Sequence, residues 1–158
     1  MNAALLRFLG AIERTLRQAS PGASAQSRLG AVVLIHRFGT LLNPYLHFHC
    51  VVDCLFDVDA SGAEVFHEAR GLDPSAITAV QATVRQRLLR EAQRRGLLSE
   101  DEAKAMADWA HDAGFSVDAE VRIEANDRAG LERLLRYCAR PAFALERLRE
   151  IDAEHLVY

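Results

Sequence analysis

Two apolar, β-branched runs separated by one short break constrain this chain more than any other feature. Residues 31–37 and 46–56 are each long enough for a strand, and both are rich in Val, Ile, Leu and Phe. Gly39, Asn43 and Pro44 lie between them, and these residue types mark a connection. Asp59-Ala60-Ser61-Gly62 reads as a turn into a third, short strand at 64–66. Together these segments predict a three-stranded antiparallel meander.

Helical patterns surround it. Residues 2–19 carry Leu5, Phe8, Leu9, Ile12 and Leu16 at three-and-four spacing, and Ser20-Pro21-Gly22 ends that helix ahead of a small-residue linker. Asp73 followed by Pro74 supplies an N-cap and a proline at the first helical position. The helix they open has the stripe Ile77, Val80, Val84 and Leu88 and stops at Gly96. Ser99 and Glu102 form a capping box for the next helix, whose apolar positions are Ala103, Met106 and Ala110 beside Trp109 and which is expected to close at Gly114. Residues 115–125 alternate apolar and charged, which predicts a half-buried strand. Asn126 or Asp127 then caps a helix with the stripe Leu131, Leu134, Leu135 and Cys138, ended or redirected by Pro141, and residues 155–158 begin a further strand. The class is α+β, an antiparallel sheet with helices packed on it.

The 158 residues, 50% hydrophobic and 26% charged, suit one globular domain and exclude disorder and collagen-like structure. No run approaches the ~18 apolar residues of a membrane span and no signal-peptide pattern opens the chain, so a cytoplasmic protein with no membrane partner is expected. A net charge of −3 gives no global field for nucleic acid, but the distribution is uneven. Lys104 is the only lysine, so the bases are almost all arginine, whose donor fork suits phosphate. Five arginines and one glutamate fall between Arg85 and Arg95, making Arg85, Arg90 and Arg94 candidate DNA contacts. The cysteines, Cys50, Cys54 and Cys138, are odd in number and form no CxxC pair, which argues against a disulfide framework or a zinc knot.

The sharpest chemical feature is His47-Phe48-His49. On a strand, positions i and i+2 face the same way, so both imidazoles project together while Phe48 turns inward. Such a pair is half of a divalent-metal site, and it is equally a polar pair on a solvated sheet face. His36, on the preceding strand, is the candidate third ligand; Glu120, Glu124 and Gln81 are weaker ones. Tyr137 lies on a helix with Arg133, Arg136 and Arg140 nearby, and Arg133, Tyr137 and Arg140 share a face. Cations beside a phenol favour the phenolate, and arginine clamps phosphodiesters. The same arrangement also fits a boundary tyrosine with solvated arginines.

The stretches Ile35-His36-Arg37-Phe38-Gly39, Asn43 through Cys50, Gly114 to Ala119 and Leu131 to Pro141 occur in order over about three quarters of the chain. This pattern resembles the rolling-circle insertion-sequence transposases (the insertion sequence ninety-one group) of the HUH nuclease superfamily. The resemblance implies an HUH-nuclease-like fold. It makes His47 and His49 ligands of Mg²⁺ or Mn²⁺, with His36 as a possible third, and Tyr137 the nucleophile that forms a 5′-phosphotyrosine with single-stranded DNA at transposon ends. Arg133, Arg136 and Arg140 become DNA contacts. Arg133 stands where relatives with paired tyrosines have the first of the two, and Tyr45 stands where many relatives have another histidine. The expected organisation is an N-terminal helix and linker over 1–27 and a catalytic domain over 28–158, truncated to the nuclease core. The alternatives are a catalytically inactive DNA-binding or oligomerisation remnant, and a metal hydrolase using His47, His49 and Asp53.

Overall fold

The structure, a computed structural model, describes residues 2–39, 43–109, 115–141 and 147–157. In chain order its elements are α1 (Asn2–Ala19), β1 (Arg28–Phe38), β2 (Pro44–Val58), β3 (Glu64–His67), α2 (Pro74–Arg94), α3 (Glu100–Ala107), α4 (Arg128–Cys138), β4 (Arg149–Asp152) and β5 (His155–Val157). The fold is α+β with antiparallel sheets, as expected. Strands β1, β2 and β3 form one sheet in that order, and β4 and β5 form a two-stranded one. β2 and β3 run antiparallel, with Phe56 opposite Phe66 and Leu55 opposite His67. The chain divides into two compact units, Met1–Gly30 with Asp53–Val121 and Ala31–Val52 with Arg122–Tyr158.

In the first unit, α1 packs on α2 around Ala11, Val80 and Val84, joined by Phe8, Ile12 and Leu88. Asp73 accepts the Ala76 N–H to cap α2, and Ser99 and Glu102 exchange the two bonds of a capping box at α3. The sheet contributes Leu55, fully buried at 0% exposure, and Cys54. Gly30 is required by a close approach: a Cβ there would lie 2.5 Å from Cε2 of Phe56, whose ring packs edge-on against Phe66. The stretch 20–27, read as a linker, is fastened to the sheet. Ser24 and Ser27 donate their hydroxyls to the Asp57 carboxylate, His67 Nε2 donates to it at 2.8 Å, and Arg17 donates to the carbonyls of Ser24 and Ser27.

Two expectations fail in this unit. Helix α3 ends at Ala107, short of Gly114, which with Ala110 lies outside the described residues. Arg85 supplies the reason. Its Nη2 donates to the carbonyl of Met106 at 2.9 Å and to that of Ala107, taking acceptors that a longer helix would use for its next turn. Residues 115–121, with their continuation to 125 in the second unit, form no strand. The Val117 N–H donates instead to Gln81 Oε1, the Glu120 N–H donates to its neighbour Asp118, and Val121 is exposed. Period-two alternation reports a face, but a strand also needs a neighbour to take its backbone bonds, and these side-chain acceptors substitute for one.

The second unit holds most of β1, the first half of β2, α4 and the β4–β5 hairpin. Asp127 caps α4 by accepting the Gly130 N–H, and Cys138 is the buried end of its apolar stripe. The strand expected from residue 155 is β5; its partner β4 was not foreseen, and Tyr158 lies outside the described residues.

Candidate functional site

All of the histidines singled out in the sequence, together with Tyr137, belong to the second unit. His36 comes from β1 and His47 and His49 from β2. Strand alternation puts His47 and His49 on the same side, and their ring centroids are 5.2 Å apart. The His36 ring lies 5.1 Å from His47 and 4.8 Å from His49, so the three rings form a triangle. One nitrogen from each falls within 4.8 Å of the others. An ion with bonds of about 2.1 Å to imidazole spans up to about 4.2 Å between opposed ligands, so small ring rotations close the set. The three half-buried rings can therefore hold a metal ion.

Hydrogen bonds prepare two of the rings. His36 Nε2 donates to the Cys138 carbonyl at 2.7 Å, and His47 Nδ1 donates to the Tyr45 carbonyl at 3.1 Å. Each bond fixes a tautomer whose other nitrogen keeps its lone pair, as is usual for metal-ligating histidine. The Cys138 carbonyl is one of the acceptors left without an intrahelical partner at the end of α4. His36 thus ties β1 to the negative end of a helix dipole, a favourable neighbour for a cation. Burial, and then the proximity of His36 and His47, hold the His49 pKa below the ordinary histidine value of 6.5, which keeps that ring neutral.

Tyr137 stands near the C-terminal end of α4, 59% exposed, with its ring edge-on to His49 and 6.1 Å away between centroids. The Arg140 guanidinium carbon lies 5.8 Å from the centre of the phenol ring. Arg136 donates to Glu132 through Nε and Nη2, and Arg133 reaches toward the Asp127 carboxylate at 4.0 Å. Of the three arginines, Arg140 is the one seated on the phenol. In the first unit, Arg85 is committed to the end of α3, while Arg90 and Arg94 line an open groove beside α1. Asp53, Glu120 and Glu124 are not members of the ligand group. Gln81 accepts from Val117, and Glu124 pairs with Arg122.

Two neighbours of the cluster were given no role by the sequence reading. Tyr45, noted there only as standing in place of a histidine, is 56% exposed, with its ring tilted against that of His47 and 5.1 Å from it; its signal was the same period two that aligned the histidines. The Cys138 carbonyl left no signal, because a backbone acceptor carries no side-chain mark. The Cys138 and Cys54 side chains are buried, and Cys50 is half-buried with its thiol pKa pushed up by burial to about 11.

A family model described as "Putative transposase" matches residues 30–158, which takes in every residue of this site. The chain belongs to that transposase family. Comparison with curated proteins finds no match, and neither does comparison with solved structures. Among the described residues of the transposase, no helix is long and apolar enough to cross a membrane.

Proposed function

We propose that this transposase cuts and rejoins single-stranded DNA at transposon ends through a covalent 5′-phosphotyrosine on Tyr137, the chemistry of rolling-circle HUH enzymes. The observation that carries the reading is the convergence of three imidazoles from β1 and β2 with an exposed phenol from α4. His36, His47 and His49 would hold a divalent ion and leave it open positions for phosphate oxygens. Bound there, Mg²⁺ or Mn²⁺ would polarise the scissile phosphate as a Lewis acid.

Tyr137 supplies the nucleophile. Its oxygen forms the bond to phosphorus as the bond to the 3′-oxygen breaks, the phenol proton departs, and the 3′-oxygen leaves as a hydroxyl. Arg140, seated beside the ring, can steady the phosphate. Arg133 and Arg136 sit in exposed ion pairs, which cost little to exchange for phosphate contacts. Exposed Tyr45 next to His47 offers a face on which a neighbouring base can stack. With Arg133 at the position of a second tyrosine, one nucleophile serves each cycle. The catalytic domain in this reading is 28–158, preceded by the helix and linker of 1–27.

Incubation with single-stranded DNA and Mn²⁺ tests this. A covalent adduct retained under denaturing conditions, absent in Tyr137→Phe and in His47→Ala with His49→Ala, is the expected result. Absence of any adduct in the unaltered protein with a range of transposon-end strands would overturn the reading and leave a DNA-binding or oligomerisation module. Strand cleavage that survives Tyr137→Phe would point to a metal hydrolase.

A further inference from the structure

We propose that α1 and α2 together form a second phosphate-binding site, one that takes the sugar–phosphate backbone of single-stranded DNA. The proposal rests on the reading that the protein acts on such strands, but it shares no residue with the histidine and tyrosine cluster. An open groove of about 450 Å³ is lined by Arg7 of α1 and by Arg87, Arg90, Gln93 and Arg94 of α2. Arg87, Arg90 and Arg94 follow i, i+3, i+7 spacing, and Arg7 and Arg14 are i, i+7, so each set lies along one helix face.

The two faces meet at Gly10. Nη1 of Arg87 lies 3.6 Å from where a Cβ on Gly10 would stand, which lays that guanidinium against α1 between Arg7 and Arg14. Burial, and then the charges of Arg14 and Arg7, lower the pKa of Arg87. Carboxylates do not balance this concentration. Helices α1 and α2 carry one acid each; Glu13 is paired with Arg17, and Glu91 is shared by Arg7, Arg94 and Arg95. Among the described residues, Arg14, Arg87 and Arg90 pair with no carboxylate. Packed like charges are a standing cost unless an anion relieves them, and forked guanidinium donors fit phosphate.

The groove favours a strand over a free ion. From Arg87 to Arg94 the row covers about 10 Å of helix axis, enough for successive phosphates of a strand that rises ~3.4 Å per nucleotide when stacked. Residues 30–158 carry the family match, so α1, which builds one wall, is outside it. The site is therefore a property of this chain's own N-terminal helix packed on α2.

Fluorescence anisotropy of a labelled single-stranded oligonucleotide, measured on the full chain in EDTA so that no metal contributes, tests the proposal. The salt slope of single-strand binding falls by about 0.7 for each phosphate left without its guanidinium, so Arg87→Gln with Arg90→Gln should lower the slope by about 1.4 and weaken binding about 25-fold at 0.1 M salt. Arg87→Lys with Arg90→Lys should recover most of the slope, and Arg122→Gln should leave binding unchanged. Circular dichroism establishes that each variant is folded. Unchanged affinity and slope in a folded double variant would overturn the proposal, as would displacement of the oligonucleotide by millimolar inorganic phosphate or tighter binding of duplex. Because no metal is present, the result is independent of whether Tyr137 forms an adduct.

Discussion

Removing one imidazole from the triangle of His36, His47 and His49 gives a sharp thermodynamic test of the metal reading. An ion that binds only the folded chain stabilises it by RT ln(1 + [L]/Kd), about 2.7 kcal/mol at a hundred times Kd. For a chain of this size each kcal/mol moves the melting midpoint by about 2–4 °C, so Mn²⁺ at that concentration should raise Tm by about 5–11 °C. The three candidate nitrogens lie within 4.8 Å of one another, so His49→Ala leaves only two donors. Loss of even an outer-shell partner costs about 10–100-fold in metal affinity, and loss of a ligand should cost at least the upper figure. At the same Mn²⁺ concentration the variant then sits near its own Kd, where the gain is about 0.4 kcal/mol and roughly 1 °C. Thermal unfolding followed by circular dichroism, with each protein compared with itself in EDTA, separates this linkage from any cost of the substitution. Equal Mn²⁺ shifts in the unaltered chain and in His49→Ala would refute the assignment, and so would no shift at any concentration.

Three further outcomes follow from packing and charge. Leu55→Ala should lower stability to urea by about 2–5 kcal/mol, since Leu55 is completely buried and its loss leaves a cavity. Gly30→Val should cost about 1–3 kcal/mol by pressing on the Phe56 ring, and Phe56→Leu in the same chain should recover part of that loss. Asp57 contributes to the acid limb. Burial alone would raise its pKa, but hydrogen bonds from Ser24, Ser27 and His67 outweigh that and hold it below its ordinary value of 3.8. Its contribution is thus present above that value and lost as pH falls, because the unfolded chain takes up the proton first. Asp57→Asn should flatten the fall in Tm between pH 5 and pH 3, as read by thermal melts; an unchanged acid limb would contradict the role given to this carboxylate.

What could be read from the sequence was the chemistry carried by adjacent residues. Asp73 before Pro74, Ser99 with Glu102, and Asp127 each mark a helix start by a bond made within a few residues, so each was visible without knowing the fold. The common facing of His47 and His49 follows from strand geometry alone, and Tyr45 obeys the same rule. Interactions spanning long stretches of chain were hidden. The end of α3 depends on Arg85, twenty-one residues before Met106, and the fastening of 20–27 depends on Asp57, thirty residues or more away. Residues 115–125 carry the right alternation for a strand, yet pattern alone cannot supply the partner. His36 was a candidate by position only; its bond to the Cys138 carbonyl, 102 residues on, is a tertiary fact.

That bond between His36 and the end of α4 has a mechanical consequence. One imidazole both steadies the platform that presents Tyr137 and offers its remaining nitrogen to the candidate ion, so the two tasks share a single hinge pin. In the proposed reaction, a pull on the strand joined to Tyr137 that lifted this end of α4 would also twist a donor away from the ion, and by reciprocity an ion held there would stiffen the platform. Tension on the DNA and metal occupancy would then be read by the same ring.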